Sequence, residues 1–146
     1  GTNLGDKEWN LRVAVQKIEE RIGKVISLSA FYATAPWGFQ SDNNFLNAAA
    51  GVETSLSPFD ILERTQRIEQ EIGRLHKSHD GVYSDRLIDI DLLLYGDKIL
   101  QDERLSLPHP LMAERKFVLE PLAEIAPDVV HPVLHKTIRE LFLVLS

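Results

Sequence analysis

The segment Arg86-Leu87-Ile88-Asp89-Ile90-Asp91-Leu92-Leu93-Leu94-Tyr95-Gly96 constrains this chain more than any other. Its apolar density predicts a buried strand over 87–95, yet it carries two carboxylates. Strand side chains alternate, so Ile88, Ile90, Leu92 and Leu94 share one face and Asp89 and Asp91 the other. Residues two apart on a strand lie about 6–7 Å apart at Cα. Two carboxylates held that close repel unless something positive lies between them. A hard divalent cation answers this: Mg²⁺ takes one or two carboxylates and completes its shell with phosphates and water. The alternative is an edge strand whose polar face is simply solvated.

Around this segment the chain alternates helical and strand patterns. Residues 7–23 form an amphipathic pattern with Leu11, Val15, Ile18 and Ile22 on one stripe and Gly23 as the stop. Residues 25–34 and 45–54 read as strands that pair, joined by a loop over 35–44. Ser57 caps and Pro58 opens a second helix, with the stripe Ile61, Thr65, Ile68 and Ile72 and an end at Gly73. A polar loop follows over 74–85. Beyond the aspartates, 98–101 reads as a short strand, 108–110 as a Pro-His-Pro corner, and 116–125 and 137–145 as helices. The order predicts one α+β domain over 1–146, with helices packed on an antiparallel sheet. The opening Gly1-Thr2-Asn3-Leu4-Gly5-Asp6 reads as a turn, and a turn needs an element to turn from. A strand is therefore expected before residue 1.

Composition removes several classes of function. The 146 residues include no cysteine, which excludes disulfides, thiolate metal sites and cysteine nucleophiles and fits a cytoplasmic protein. No apolar run approaches the roughly 20 residues that span a bilayer, so no membrane partner is expected. A formal charge of −6 argues against broad nucleic-acid binding. A local basic pocket is still open. Arg74, His76, Lys77 and His79 precede the aspartates, Arg86 adjoins them, and Arg104, His109 and Arg115 follow. Guanidinium groups bind phosphate bidentately and lysine offers a point charge. A metal flanked by arginines suits phosphoryl transfer, which rests on positioning and charge neutralisation. Each basic residue alone reads equally as a solvated side chain. There is no Walker A sequence and no kinase glycine-rich loop.

A second constellation lies in the predicted hairpin. Phe45 and Asn47 share a strand face, and a carboxamide offers both donor and acceptor to a heterocycle with amide-like edges. Phe45, Trp37 and Phe117 could stack a flat ring, or Phe45 and Phe117 could be ordinary core.

The pieces GTNLGD, SAFYATAPWG, FLNAAAGVET, TQRIEQEIGR, RLIDIDLLLYG and RLSLPHPLMAERKFVLEPLAEIAP, in this order, resemble the 6-hydroxymethyl-7,8-dihydropterin pyrophosphokinases over nearly the whole chain. The resemblance implies a ferredoxin-like α/β sandwich, with the first strand of its sheet missing from this chain. It implies transfer of pyrophosphate from ATP to 6-hydroxymethyl-7,8-dihydropterin in folate biosynthesis, by a monomer. Asp89 and Asp91 match the ligands of two Mg²⁺ ions. Arg86 matches a phosphate contact, and Arg74 and Lys77 match a loop that closes over ATP. Arg104, His109 and Arg115 match nucleotide-side positions, and Gln66 and Glu69 match polar helix residues near ATP. Phe45 and Phe117 match the aromatics that sandwich the pterin, Asn47 and Thr34 the groups that read its edge, and Trp37 an apolar lid. Phe45 stands where the family commonly has tyrosine, and Tyr83 where it often has tryptophan.

Two other readings compete. Another metal-dependent phosphoryl or nucleotidyl transferase would bind ATP and ignore pterin. A non-catalytic ferredoxin-like binding module would have no use for the Asp89/Asp91 pair.

Overall fold

The structure, a computed structural model, describes residues 1–34, 44–75 and 87–146, with the backbone alone at 74 and 75. The first helix, α1 (Lys7–Arg21), starts where the Asp6 carboxylate accepts the Trp9 N–H at 3.1 Å. It buries Asn10, Leu11 and Ala14. Its end falls within two residues of the expected stop. Gly23 is needed there for space, because a Cβ would meet the Glu53 carbonyl oxygen at 2.1 Å.

The two predicted strands do pair, but as two short ladders. Strand β1 (Lys24–Leu28) runs antiparallel to β4 (Ala50–Glu53), and β2 (Tyr32–Thr34) to β3 (Phe45–Asn47). The break lies at the buried Ser29, whose N–H donates to the Ala49 carbonyl while its Oγ accepts the Ala49 N–H, both at 2.9 Å. A hydroxyl thus replaces a backbone carbonyl and ends the regular ladder.

Helix α2 (Pro58–Leu75) is capped by the Ser57 hydroxyl, which accepts from the Asp60 N–H at 3.2 Å. It buries Ile61, Thr65, Ile68 and Ile72, the stripe expected. It does not stop at Gly73. That glycine sits in open space, and one glycine costs a helix only about 1 kcal/mol. Glu71 of α2 pairs with both Arg21 and Lys17 of α1.

The largest correction concerns 87–95, which joins no strand ladder among the described residues. Its backbone meets a partner mainly at Asp89, which exchanges two bonds with Gly1 (N–H···O distances 2.7 and 2.8 Å). The expected faces hold over 88–92, with Ile88 buried and Asp89 and Asp91 exposed, but Leu87 is buried beside Ile88, and Leu94 packs with Leu93 on the other core. The short hairpin β5 (Leu100–Gln101) and β6 (Ser106–Leu107) follows a turn at Gly96, whose φ of +55° favours glycine. A short 3₁₀ turn (Met112–Glu114) then leads to α3 (Lys116–Ile125) and α4 (Ile138–Leu145). The latter has a reciprocal cap between Thr137 and Glu140.

Two cores result. One joins α1 and α2 with Leu87 and Ile88, and Leu46, Ala48 and Val52 pack against it. The other joins α3, α4, Met112 and Ala49, with Leu93 and Leu94 against it. The strand segments 45–53 and the aspartate segment thus lie between α1/α2 and α3/α4, an α+β arrangement.

His131 is buried, and its Nδ1 accepts the N–H groups of Val133 (3.2 Å) and Leu134 (3.0 Å). The ring is therefore neutral with its proton on Nε2. Burial pushes its pKa down, and His135 adds to this. A folded pKa below the unfolded value of about 6.5 means that its contribution is complete above about pH 6.5 and lost as pH falls through the folded pKa. Between about pH 7.5 and 5 the urea midpoint should drop more in the native sequence than in His131→Gln. Equal drops would show that His131 carries none of the acid sensitivity.

Candidate functional site

Besides the Gly1–Asp89 pair, three anchors hold the aspartate segment. Upstream, the Thr2 hydroxyl donates to the Leu87 carbonyl. Thr2 Oγ in turn accepts from the Asn10 Nδ2 at 3.2 Å, and the same amide donates to the Leu4 carbonyl at 3.0 Å. In the middle, Glu69 Oε2 accepts the N–H of Ile90, the residue between the two aspartates, at 2.7 Å. Downstream, the His109 N–H donates to the Leu93 carbonyl at 2.9 Å. The backbone is fixed on both sides of Asp89 and Asp91, so their carboxylates are presented from a rigid base.

Glu69, bonded to the N–H between the two aspartates, brings a third carboxylate to the segment. Among the described residues no group of three or more metal-ligating side chains forms a ready cage. Two exposed carboxylates suit an ion that keeps water and takes phosphate oxygens, as Mg²⁺ does, better than one needing a full protein shell.

Thr34, Phe45, Asn47 and Phe117, the residues expected to read and stack a ring, lie on β2, β3 and α3. Thr34 is directly opposite Phe45 in the ladder, and Tyr32 opposite Asn47. Phe45 is 37% exposed and Phe117 40%, so both keep an open face. The Asn47 Nδ2 is buried and has no hydrogen-bond partner among the described residues. Its Oδ1 lies where a Cβ on Gly1 would be 2.1 Å away, so a glycine at position 1 makes room for the carboxamide. The Arg115 guanidinium stands 5.6 Å from the Phe117 ring centroid. These two residues, with Glu114, Lys116 and Leu145, line a shallow depression open to solvent.

Glu69 is engaged with Ile90, and Gln66 lies exposed on α2, the same helix. Arg104 pairs with Glu63 at 3.6 Å and covers the Phe59 ring at 5.6 Å. Trp37, Lys77, Tyr83 and Arg86, the side chain of Arg74, and the expected lid of 74–85 past the end of α2 lie outside the described residues. Sequence reasoning missed Thr2 and Asn10, which anchor the aspartate segment. Asn10 left no trace, because it lies beside the stripe Leu11, Val15, Ile18 and Ile22 rather than in it, and the face buried with it is Leu11 and Ala14.

Comparison with known proteins gives the family. The chain is similar to a 2-amino-4-hydroxy-6-hydroxymethyldihydropteridine pyrophosphokinase of Porphyromonas gingivalis, 48% identical over 134 residues that make up 90% of each chain. The enzyme of that name in Aquifex aeolicus is 37% identical over 140 residues, 96% of this chain and 85% of its own. A folic acid synthesis protein of Dictyostelium discoideum is 39% identical over 143 residues, 98% of this chain but 21% of that longer protein. A family model described as 7,8-dihydro-6-hydroxymethylpterin-pyrophosphokinase matches residues 1–127, and the chain belongs to that family.

Proposed function

We propose that this protein transfers pyrophosphate from ATP to 6-hydroxymethyl-7,8-dihydropterin, giving AMP and the pterin diphosphate for folate biosynthesis. The observation that carries the reading is the pairing of two half-sites. One is a rigidly anchored Asp89/Asp91 pair. The other is a buried Asn47 amide without a partner among the described residues, beside the open ring of Phe45.

Asp89 and Asp91 would hold Mg²⁺, in two ions, and the ions would supply charge neutralisation on the ATP phosphates. Arg74, Arg86 and Lys77 would add positive charge on the phosphate side, with Arg104, His109 and Arg115 near the nucleotide and Gln66 and Glu69 on its helix side. Asn47 and Thr34 would read the polar edge of the pterin, Phe45 and Phe117 would stack its faces, and Trp37 would cover it. A cysteine-free sequence with a net charge of −6 supports a cytoplasmic protein that binds small molecules as a monomer.

The finer fold is read as ferredoxin-like. Thr2 exchanges both backbone bonds with Leu46, and Gly1 does so with Asp89. Residues 1–2 therefore bridge β3 to the aspartate segment. A strand leading into Gly1 would extend both pairings and turn 87–95 into a paired strand.

The test is the product. AMP should form from MgATP only when the pterin is present. ADP in its place would make the protein an ordinary kinase, and no nucleotide turnover with normal ATP binding would favour the binding module.

A further inference from the structure

We infer that Glu124 is a positioning residue that sets the spacing between the two ring-stacking aromatics. The inference rests on the pterin reading above. Helix α3 carries both Phe117, in its first turn, and Glu124, next to its last residue. Both carboxylate oxygens of Glu124 accept the Ala30 N–H at 3.2 Å, and Oε1 also accepts the Tyr32 hydroxyl at 2.5 Å. Tyr32 is the direct ladder partner of Asn47, and Thr34, two residues on, is that of Phe45. A single carboxylate thus ties the helix of Phe117 to the ladder of Phe45 and Asn47.

Its placement argues for a specific use. A carboxylate near a helix C-terminus meets the negative end of the helix dipole, which disfavours it. The contacts of Glu124 explain why it stands there. Ala30 lies between β1 and β2, so its N–H has no ladder carbonyl to meet. A carboxylate gives that N–H and the phenol a charged acceptor, which makes both bonds stronger than neutral ones. In keeping with this, Glu124 holds the Tyr32 phenol above its ordinary pKa, so the proton stays on Tyr32.

A flat ring between two aromatic faces is sensitive to their separation. A gap of about 0.5–1 Å forfeits a quarter to a half of the dispersion well on that side. Losing the Glu124 tie lets α3 settle away from β2 and β3, and the ring then loses contact on one face. ATP does not use this spacing, so the defect should fall on the pterin alone.

The experiment measures 6-hydroxymethylpterin binding by calorimetry with the non-hydrolysable analogue α,β-methylene-ATP saturating, and analogue binding separately. Glu124→Ala should weaken pterin binding about tenfold and Tyr32→Phe about threefold in the same direction, with analogue binding within about twofold. Glu124→Gln, which keeps one acceptor oxygen, should fall between the native protein and Glu124→Ala. Unchanged pterin binding in Glu124→Ala and Tyr32→Phe overturns the inference. So do parallel losses of pterin and nucleotide with a falling melting temperature, which mark a residue that only knits the fold. Should Glu124→Ala fail to fold, Tyr32→Phe decides, since it removes one hydroxyl. A native protein that binds the analogue but not the pterin overturns the functional reading itself, a result distinct from normal native binding with indifferent variants.

Discussion

Asp91→Ala is expected to lower pterin-dependent AMP formation at least about 10³-fold, the scale on which single charge-stabilising groups act in phosphoryl transfer. Asp91 is exposed and stands two residues from Asp89 on a backbone anchored at Leu87, Ile90 and Leu93. Its removal leaves one carboxylate where an oxygen-bound cation calls for a pair. Folding should hardly notice, because an exposed substitution away from caps and packing changes stability by less than about 0.5 kcal/mol. Relief of repulsion from Asp89 would even raise it slightly. Steady-state AMP formation and the urea midpoint, measured on the same preparation, check both halves. A loss below tenfold would remove Asp91 from the metal site, and a large stability loss would make it a structural residue.

Ile88→Ala, three positions away on the same segment, should do the reverse. Ile88 is 2% exposed and packs with Leu11, Ile61, Ile68 and Ile72 between α1 and α2. Deleting its buried carbons removes transfer energy and leaves a cavity, at a cost of about 2–5 kcal/mol. That is a large part of the roughly 5–15 kcal/mol by which a domain is stable. Urea unfolding should show a lower midpoint at an unchanged slope. A loss under about 1 kcal/mol would mean that α1 and α2 close over the gap. Taken together, the two variants separate the faces of one segment, apolar for stability and acidic for chemistry.

Helix α2 shows what periodicity can deliver. Its cap, its first residue and its buried stripe follow from Ser57, Pro58 and the spacing of Ile61, Thr65, Ile68 and Ile72, because a helix makes its hydrogen bonds within itself. Its end was not legible, since Gly73 contacts nothing that would force a stop. Strands are different. The alternation located the two faces over 88–92 and not at Leu87 or Leu94, and a ladder needs a neighbouring backbone: among the described residues only Gly1 exchanges a pair of bonds with the segment. The hairpin was legible as a pairing, and its interruption by the Ser29 hydroxyl was not.

The candidate site divides along the same line. Asp89, Asp91, Phe45 and Asn47 stood out because two-residue spacing on an extended backbone puts each pair on one face. Family resemblance supplied the remaining site residues, and it gave no role to Glu124 or Tyr32, which meet across 92 positions of sequence. The sequence by itself determined the helices, the faces of the extended segments and the acidic pair, all properties of local period and residue chemistry. Only the tertiary structure decided that Glu69 holds Ile90, that Arg104 faces α2 and that Glu124 joins α3 to the Asn47 ladder. Such contacts depend on how packed elements bring distant side chains together, and no local pattern encodes that.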